Sequence, residues 1–196
     1  MKKLILGLAL VAGTFSFAQK TSTSTSTASS SPVRFGLKAG LNISSISNRD
    51  ANSKAGFYGG VFANIPVAQD FSVQPEVLYS GMGAKAKANS NAKLNTDYIA
   101  VPVMLQYNLI PNLYVEAGPQ FGFLISAKGK ANGASLDVKD DFKTFDFGLG
   151  LGAGYYFTQN IGVNVRYTAG LSDIVKNNRG DASRNGVFQV GLTYKF

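Results

Sequence analysis

Residues 144–157 read TFDFGLGLGAGYYF, a segment in which large apolar residues alternate with glycine and one aspartate. Successive side chains of a β-strand point to opposite faces, so this alternation predicts a strand with one apolar face and one small, polar face. The glycines at positions 148–154 are superficially similar to a nucleotide-binding loop, but such a loop requires a strand followed by a helix. We therefore interpret them as small residues that relieve crowding on one face of a strand.

The same period of two occurs in further segments of the chain. Together they give eight predicted strands, at residues 33–46, 55–65, 71–82, 97–107, 113–126, 144–157, 161–171 and 187–196. A tilted strand of about ten residues is long enough to cross the hydrocarbon layer of a membrane. The connections alternate between longer polar loops and short turns at residues 66–70, 108–112 and 158–160. Short periplasmic turns and longer outward loops are typical of outer-membrane barrels, and an even number of strands then places both termini on the periplasmic side.

The composition indicates the same fold class. The chain contains 22 Gly, 14 Phe and 9 Tyr but no Trp, which is unusual for a helical globular protein and typical of an all-β barrel. An open sheet edge in hydrocarbon would leave backbone groups without hydrogen bonds, so we expect the sheet to close. We predict an all-β fold, an eight-stranded antiparallel up-and-down transmembrane β-barrel. Side chains can fill the narrow interior of such a barrel, so no wide channel is expected.

Residues 1–32 are not expected to belong to the barrel. Lys2 and Lys3, the apolar run at residues 4–17 and a small-residue cleavage site predict a signal peptide at residues 1–18. Residues 19–32 contain a Ser/Thr repeat with almost no apolar side chain, which predicts a disordered linker. The barrel is then predicted to occupy residues 33–196.

Charges on the polar faces of the strands indicate which face meets lipid. These faces carry both signs of charge, at Arg34, Lys38, Glu76, Glu116, Asp146, Arg166 and Lys195. Opposite charges can pair in a narrow lumen while the apolar faces contact acyl chains, so we predict a structural charge network in the lumen. The alternative is a soluble secreted ligand-binding barrel, whose outer surface would then consist of glycine with few charges. Glu76 and Glu116 are expected to form salt bridges rather than to act as catalytic acids.

The residues of common enzymatic chemistry are scarce. The sequence contains no Cys and no His, which removes the usual nucleophile and base pairs and the common transition-metal ligands. An arrangement of Asp, Glu and Ser leaves open the alternative of an outer-membrane lipid-modifying enzyme, whose site would lie near the outer rim. The segments at residues 137–141 and 177–185, the second with an Arg-Gly-Asp tripeptide, are interpreted as solvated loops. We predict no catalytic residue, no cofactor and no metal.

Several stretches of the chain resemble a known family. They are RFGLKAGLN at residues 34–42, VQPEVLYS at 73–80, YIAVPVMLQYN at 98–108, LYVEAGPQFGFLISAK at 113–128, DFGLGLGAGYYF at 146–157 and GLTYKF at 191–196. Together they resemble the outer-membrane β-barrel proteins of Bacteroidetes, which are PorT-like or OmpA-like small barrels. Leu192, Tyr194 and Phe196 also resemble the C-terminal assembly signal of outer-membrane proteins. The resemblance implies an outer-membrane location and, for some relatives, assistance to protein secretion.

The expected function is non-enzymatic. We predict a structural or partner-presenting role in the cell envelope, with service to a secretion machine as its finer form. Loss of Lys2 and Lys3 with the predicted signal peptide changes the formal charge from +8 to +6, with 17 Lys and Arg against 11 Asp and Glu. This excess favours contact with an anionic surface such as the phosphates of lipopolysaccharide. The expected partners are outer-membrane lipid and lipopolysaccharide, the barrel assembly machinery, and an envelope or secretion protein, but no nucleic acid.

Overall fold

The computed structural model describes residues 32–47, 51–86, 93–131, 134–174 and 183–196. Its strands are β1 (Arg34–Ile46), β2 (Ala51–Pro66), β3 (Phe71–Ala86), β4 (Lys93–Ile110), β5 (Leu113–Ala131), β6 (Ala134–Asp137), β7 (Phe145–Tyr156), β8 (Ile161–Gly170) and β9 (Asn185–Lys195). A single turn of 3-10 helix follows β6 at Lys139–Asp141. The predicted signal peptide and nearly all of the predicted linker lie outside the described residues. Within the described residues, no helix has the length and apolar character needed to cross a bilayer.

The long strands form one closed antiparallel barrel. Each pairs with the next long strand along the chain, and β5 pairs with β7 across the inserted β6. Strand β1 pairs with β9, from Gly36 opposite Lys195 to Ile46 opposite Asn185, and this pairing closes the sheet. The short β6 adds to the far end of β5 and is not part of the barrel wall. The predicted eight-stranded antiparallel barrel is therefore confirmed.

The barrel carries its apolar side chains on the outside. Leu41, Leu151 and Leu192 are 68%, 67% and 61% exposed on the outer surface, whereas Glu116 and Arg166 in the lumen are each 1% exposed. The strands alternate in the predicted sense, as the regular exchange of exposed and buried residues along β7 and β8 illustrates. In water this surface would be a very large apolar patch. The alternative of a soluble secreted barrel is therefore wrong, because it needs the opposite orientation.

The two ends of the barrel differ. The short connections at residues 67–70, 111–112 and 157–160 lie at one end, which we call the turn end. The chain termini of the barrel meet there too, since the Phe196 amide donates a hydrogen bond of 2.9 Å to the carbonyl of Phe35. The other connections lie at the opposite end, which we call the loop end. The connections after β3, β5 and β8 are longer than the turns, as predicted, but the connection between β1 and β2 at residues 47–50 is as short as the turns.

The strands β2 to β5 extend further toward the loop end than predicted. Strand β4 begins at Lys93 rather than at residue 97, and β5 ends at Ala131 rather than at residue 126. These extensions are rich in Lys, Asn, Ser and Ala, so they lack the apolar alternation by which the other parts of the strands were found. The short β6 was missed for the same reason.

A β-bulge in β5 changes which residues face the lumen. Asp97 pairs with Ser126 but the next residue, Tyr98, pairs with Leu124, so Ile125 is an extra residue in β5. Leu124 and Ala127 are both buried, whereas strict alternation would place them on opposite faces. The bulge therefore turns Ala127 toward the lumen.

Candidate functional site: the charged lumen

A cluster of ion pairs crosses the middle of the lumen. Lys38 Nζ lies 2.7 Å from Glu76 Oε1. Arg166 donates hydrogen bonds from Nη1 and Nη2 to the two oxygens of Glu76, at 2.8 and 2.7 Å, and from Nε to Glu116 Oε1 at 2.7 Å. All four residues are 1% exposed. We call Lys38, Glu76, Glu116 and Arg166 the charge cluster; its two acids and two bases balance one another.

Inward-facing glycines allow the members of the cluster to meet across intervening strands. Gly152 on β7 pairs with Glu116 on one side and with Arg166 on the other. A Cβ atom at Gly152 would lie 3.0 Å from Glu116 Oε1, so a larger residue there would crowd the ion pair. Gly60 on β2 likewise pairs with Lys38, which reaches over β2 to the carboxylate of Glu76 on β3.

Amide side chains add hydrogen bonds to both carboxylates. Gln74 donates from Nε2 to Glu76 Oε1 at 2.8 Å, and Gln106 donates from Nε2 to Glu116 Oε2 at 2.9 Å. Asn64 in turn donates from Nδ2 to Gln106 Oε1 at 2.9 Å. Hydrogen bonds of this kind are what makes a buried ion pair tolerable, because each charge has lost its hydration. Both glutamates are therefore engaged by cations and amides, which leaves neither placed for proton transfer to a substrate.

The other predicted members of the network lie apart from this cluster. Asp146 lies toward the loop end, where it accepts hydrogen bonds from Ser172 Oγ at 2.6 Å and Asn185 Nδ2 at 2.7 Å. Arg34 lies at the turn end and donates from Nε to the backbone oxygen of Phe196 at 3.4 Å. Lys195 also lies at the turn end, with Nζ 3.9 Å from the centre of the Tyr156 ring.

An apolar plug fills the lumen toward the loop end. It consists of Met82, Tyr98, Leu124, Ala127, Phe142, Ile174 and Val187. Phe142 and Ile174 come from the connections after β6 and β8 rather than from strands of the wall, and they are 8% and 1% exposed. This plug was not predicted from the sequence. Alternation along the strands places Tyr98 and Val187 on the lumen side. Phe142 and Ile174 lie outside the strands, so alternation gives no prediction for them.

Residues 17–176 match the family described as the outer membrane protein beta-barrel domain. The chain belongs to this family. The match covers most of the chain and agrees with the lipid-facing apolar surface of the closed barrel. This outer-membrane barrel accordingly resides in the outer membrane.

Solved structures of outer-membrane barrels share the fold. Neisserial surface protein A has a TM-score of 0.56 and 17% identity, over 84% of this chain and 97% of that one. The Ail protein of Yersinia pestis has a TM-score of 0.52 and 15% identity, over 83% of this chain and 98% of that one. A second structure of Ail, in complex with the heparin analogue sucrose octasulfate, has a TM-score of 0.52 and 16% identity, over 84% of this chain and 99% of that one. No curated protein sequence matches the chain.

The three residues predicted to form an assembly signal lie on the lipid-facing side at the end of β9. Leu192, Tyr194 and Phe196 are all exposed, and the rings of Tyr194 and Phe196 are 5.5 Å apart in an edge-on arrangement. In this outer-membrane barrel they form a continuous apolar strip beside the turn end.

Of the two segments predicted to be solvated loops, residues 137–141 are exposed at three positions but contain the end of β6 and the turn of 3-10 helix. At residues 137–141, Asp137 Oδ1 accepts a hydrogen bond of 2.9 Å from the amide of Lys139. The Arg-Gly-Asp tripeptide at 179–181 lies outside the described residues. The described part of the chain holds no group of three or more acidic side chains that could bind a metal.

Proposed function

We propose that the protein is a non-enzymatic, non-conducting barrel that strengthens the outer membrane and holds its outward loops for a partner in the envelope. The observation that carries this proposal is the occupation of the lumen at two levels. The charge cluster spans the middle and the apolar plug lies between it and the loop end. Diffusion pores instead have a water-filled lumen.

Two measurements test this proposal. The full chain is refolded and inserted into a planar lipid bilayer, where we expect no stepwise conductance above that of the bare membrane. A deletion strain is expected to become more sensitive to detergents and bulky antibiotics and to recover when the gene is restored. Porin-like conductance steps would contradict the non-conducting role, and an unchanged sensitivity would contradict the strengthening role.

The absence of enzymatic activity is part of the same proposal. The engagement of Glu76 and Glu116 within the charge cluster supports it, because both carboxylates are buried and fully hydrogen-bonded. The rival is a lipid-modifying enzyme with its site near the outer rim. Lipid analysis of the deletion strain distinguishes the two, since an enzyme of this kind leaves its modified lipid missing and a structural barrel leaves the lipid profile unchanged.

A row of lysines at the loop end supports lipopolysaccharide as a partner. Lys93 on β4 pairs directly with Lys130 on β5, and both side chains are exposed. Lys85 occupies the register position beside Lys93 on β3. Like charges placed directly opposite each other destabilise a sheet, and a phosphate group between them removes this repulsion. In the proposed contact, phosphates of lipopolysaccharide in the outer leaflet supply these groups.

Charge-neutral variants test this contact. We expect the double variant K93Q/K130Q to bind purified lipopolysaccharide about tenfold or more weakly than the wild type, at about 1 kcal/mol for each lysine. The matched control is K143Q/R184Q, which removes the same charge from exposed residues that lie outside the row. If both variants lose equal affinity, the contact depends on net charge and not on the lysine row.

The PorT-like motifs support a finer form of the role, in which the partner is a component of a secretion machine. Crosslinking from the loop end in cells tests this form. Recovery of a secretion component is the expected result, and normal secretion in the deletion strain would contradict it.

A further inference from the structure

A small cavity lies in the lumen between the charge cluster and the apolar plug. Its volume is about 10 Å³, which is room for one water-sized particle. Met82, Tyr98 and Val187 of the apolar plug line one side of it. Asp146 and Thr168 line it as well, and Thr168 is the inward residue next to Arg166 along β8.

Inward-facing glycines on three neighbouring strands create this space. Gly122 on β5, Gly148 on β7 and Gly170 on β8 all line the cavity. A Cβ atom at Gly122 would lie 3.4 Å from both the Asp146 Cβ and the Tyr98 Cδ1, in ordinary contact. A methyl group would therefore fit at Gly122, where the glycine leaves room that packing alone does not require. At Gly148 and Gly170 a Cβ atom would lie 2.7 and 2.6 Å from a backbone oxygen, so close packing of the strands requires those two glycines.

The carboxylate of Asp146 has no cationic partner among the described residues. Its hydrogen bonds come from the neutral groups of Ser172 and Asn185, and the ion pairs of the charge cluster do not include it. The charge cluster is itself balanced, so it supplies no spare positive charge. A buried and uncompensated carboxylate is costly, which points to a positive charge in the adjacent cavity.

The other polar groups around the cavity present oxygen atoms. The hydroxyl of Tyr98 is buried and lacks a hydrogen bond of ordinary geometry. Gln120 Oε1 accepts a hydrogen bond of 3.3 Å from Thr168 Oγ1 and keeps a second lone pair. Oxygen donors around a cavity of this size suit a hard cation, and a single carboxylate matches a single positive charge. Calcium sites gather more carboxylates than the one found here.

We propose that this cavity binds one monovalent alkali cation, which neutralises Asp146 and is coordinated by the surrounding oxygen atoms. The site also ties the cation to an outward loop. Ser172 and Asn185, which both donate to Asp146, stand at the two ends of the connection between β8 and β9. Occupancy of the cavity thus fixes the base of that loop. The proposal rests on the lumen geometry and does not depend on the function proposed above.

Thermal unfolding in different salts tests the site. The full chain, refolded in detergent, is heated in about 0.15 M sodium chloride or in choline chloride at the same ionic strength. The temperature at which its migration on a gel changes is then measured. If the sodium concentration is about five times the dissociation constant of the site, the midpoint temperature of unfolding is expected to be about 2–4 °C higher in sodium chloride than in choline chloride. The shift is expected to vanish in D146N and to persist in D141N, since Asp141 is exposed at the surface.

A direct binding measurement keeps the test decisive if D146N folds poorly. Line broadening of the sodium-23 resonance by wild-type protein is compared with that by Y98F, which keeps the charge of Asp146 and removes one oxygen donor. Weaker broadening by Y98F supports the site. No broadening by the wild type, identical broadening by Y98F, or an equal thermal shift in wild type and D146N would overturn the proposal and leave a cavity that holds water only.

Discussion

Arg166 connects the two buried carboxylates on which the charge balance of the lumen depends. It contacts Glu76 through Nη1 and Nη2, and Glu116 through Nε and Nη2. R166M replaces the guanidinium by a shorter, neutral side chain, so that both glutamates are left with Lys38 as their one cation within the charge cluster. Removal of one partner leaves a buried charge uncompensated, so we predict a loss of about 3–5 kcal/mol in the free energy of unfolding.

Urea unfolding in lipid vesicles measures this loss. The matched control is R184M, because Arg184 is exposed at the loop end. Its free energy of unfolding is expected to change by no more than about 0.5 kcal/mol. If R166M were as stable as R184M, the charge cluster would contribute nothing to folding.

The direction of each charged side chain could be predicted from the sequence, but not its partners. Alternation indicates correctly that the side chains of Lys38, Glu76 and Asp146 point into the lumen and away from lipid. Whether two inward charges meet depends on the stagger between strands around the barrel, and the period of two carries no information about that stagger. Asp146 and Lys195 were therefore predicted in one network although they lie toward opposite ends of the lumen.

The residues that resemble an assembly signal lie on the lipid-facing side at the C-terminal end of the barrel. If they act as such a signal, another protein contacts them before the barrel closes. Phe196 is 63% exposed and packs against Tyr194 rather than into the lumen. We predict that F196S lowers the fraction of the protein that reaches the folded, heat-modifiable form in cells. Spontaneous refolding of the same variant in detergent is expected to be unchanged, because no assembly machinery is present there.

The comparison that isolates the signal is F157S. Phe157 is 61% exposed at the same end of the barrel, so its replacement removes a similar apolar surface. Gel migration of unheated and heated envelope fractions reports the assembled fraction of each variant. Equal assembly of the two variants would mean that position 196 acts as ordinary lipid-facing surface.

The membrane-facing parts of the strands could be predicted more completely than their ends. Lipid on one side and a narrow lumen on the other impose alternation, and this signal located all the long strands of the wall. At the loop end, the extension of β4 at Lys93 and the added β6 each contain a single large apolar residue, Leu94 and Leu136. One apolar residue makes no period-two pattern, so these parts could not be recognised in the sequence.

In the molecule as a whole, apolar side chains lie on the outer surface and charged side chains are buried, the reverse of a soluble protein. A charged residue introduced on the outer surface tests this orientation most strictly. Leu151 is 67% exposed at mid-strand on β7, on the face opposite its neighbour Gly152, which lies between Glu116 and Arg166. Leu136 is 70% exposed but belongs to β6, outside the barrel wall. In lipid vesicles L151R is expected to lower the free energy of unfolding by about 2–4 kcal/mol, the cost of arginine near the bilayer midplane, while L136R stays near the wild type. Because the two leucines are almost equally exposed, water as the surrounding medium would make the two substitutions equally mild, and that result would contradict the transmembrane orientation.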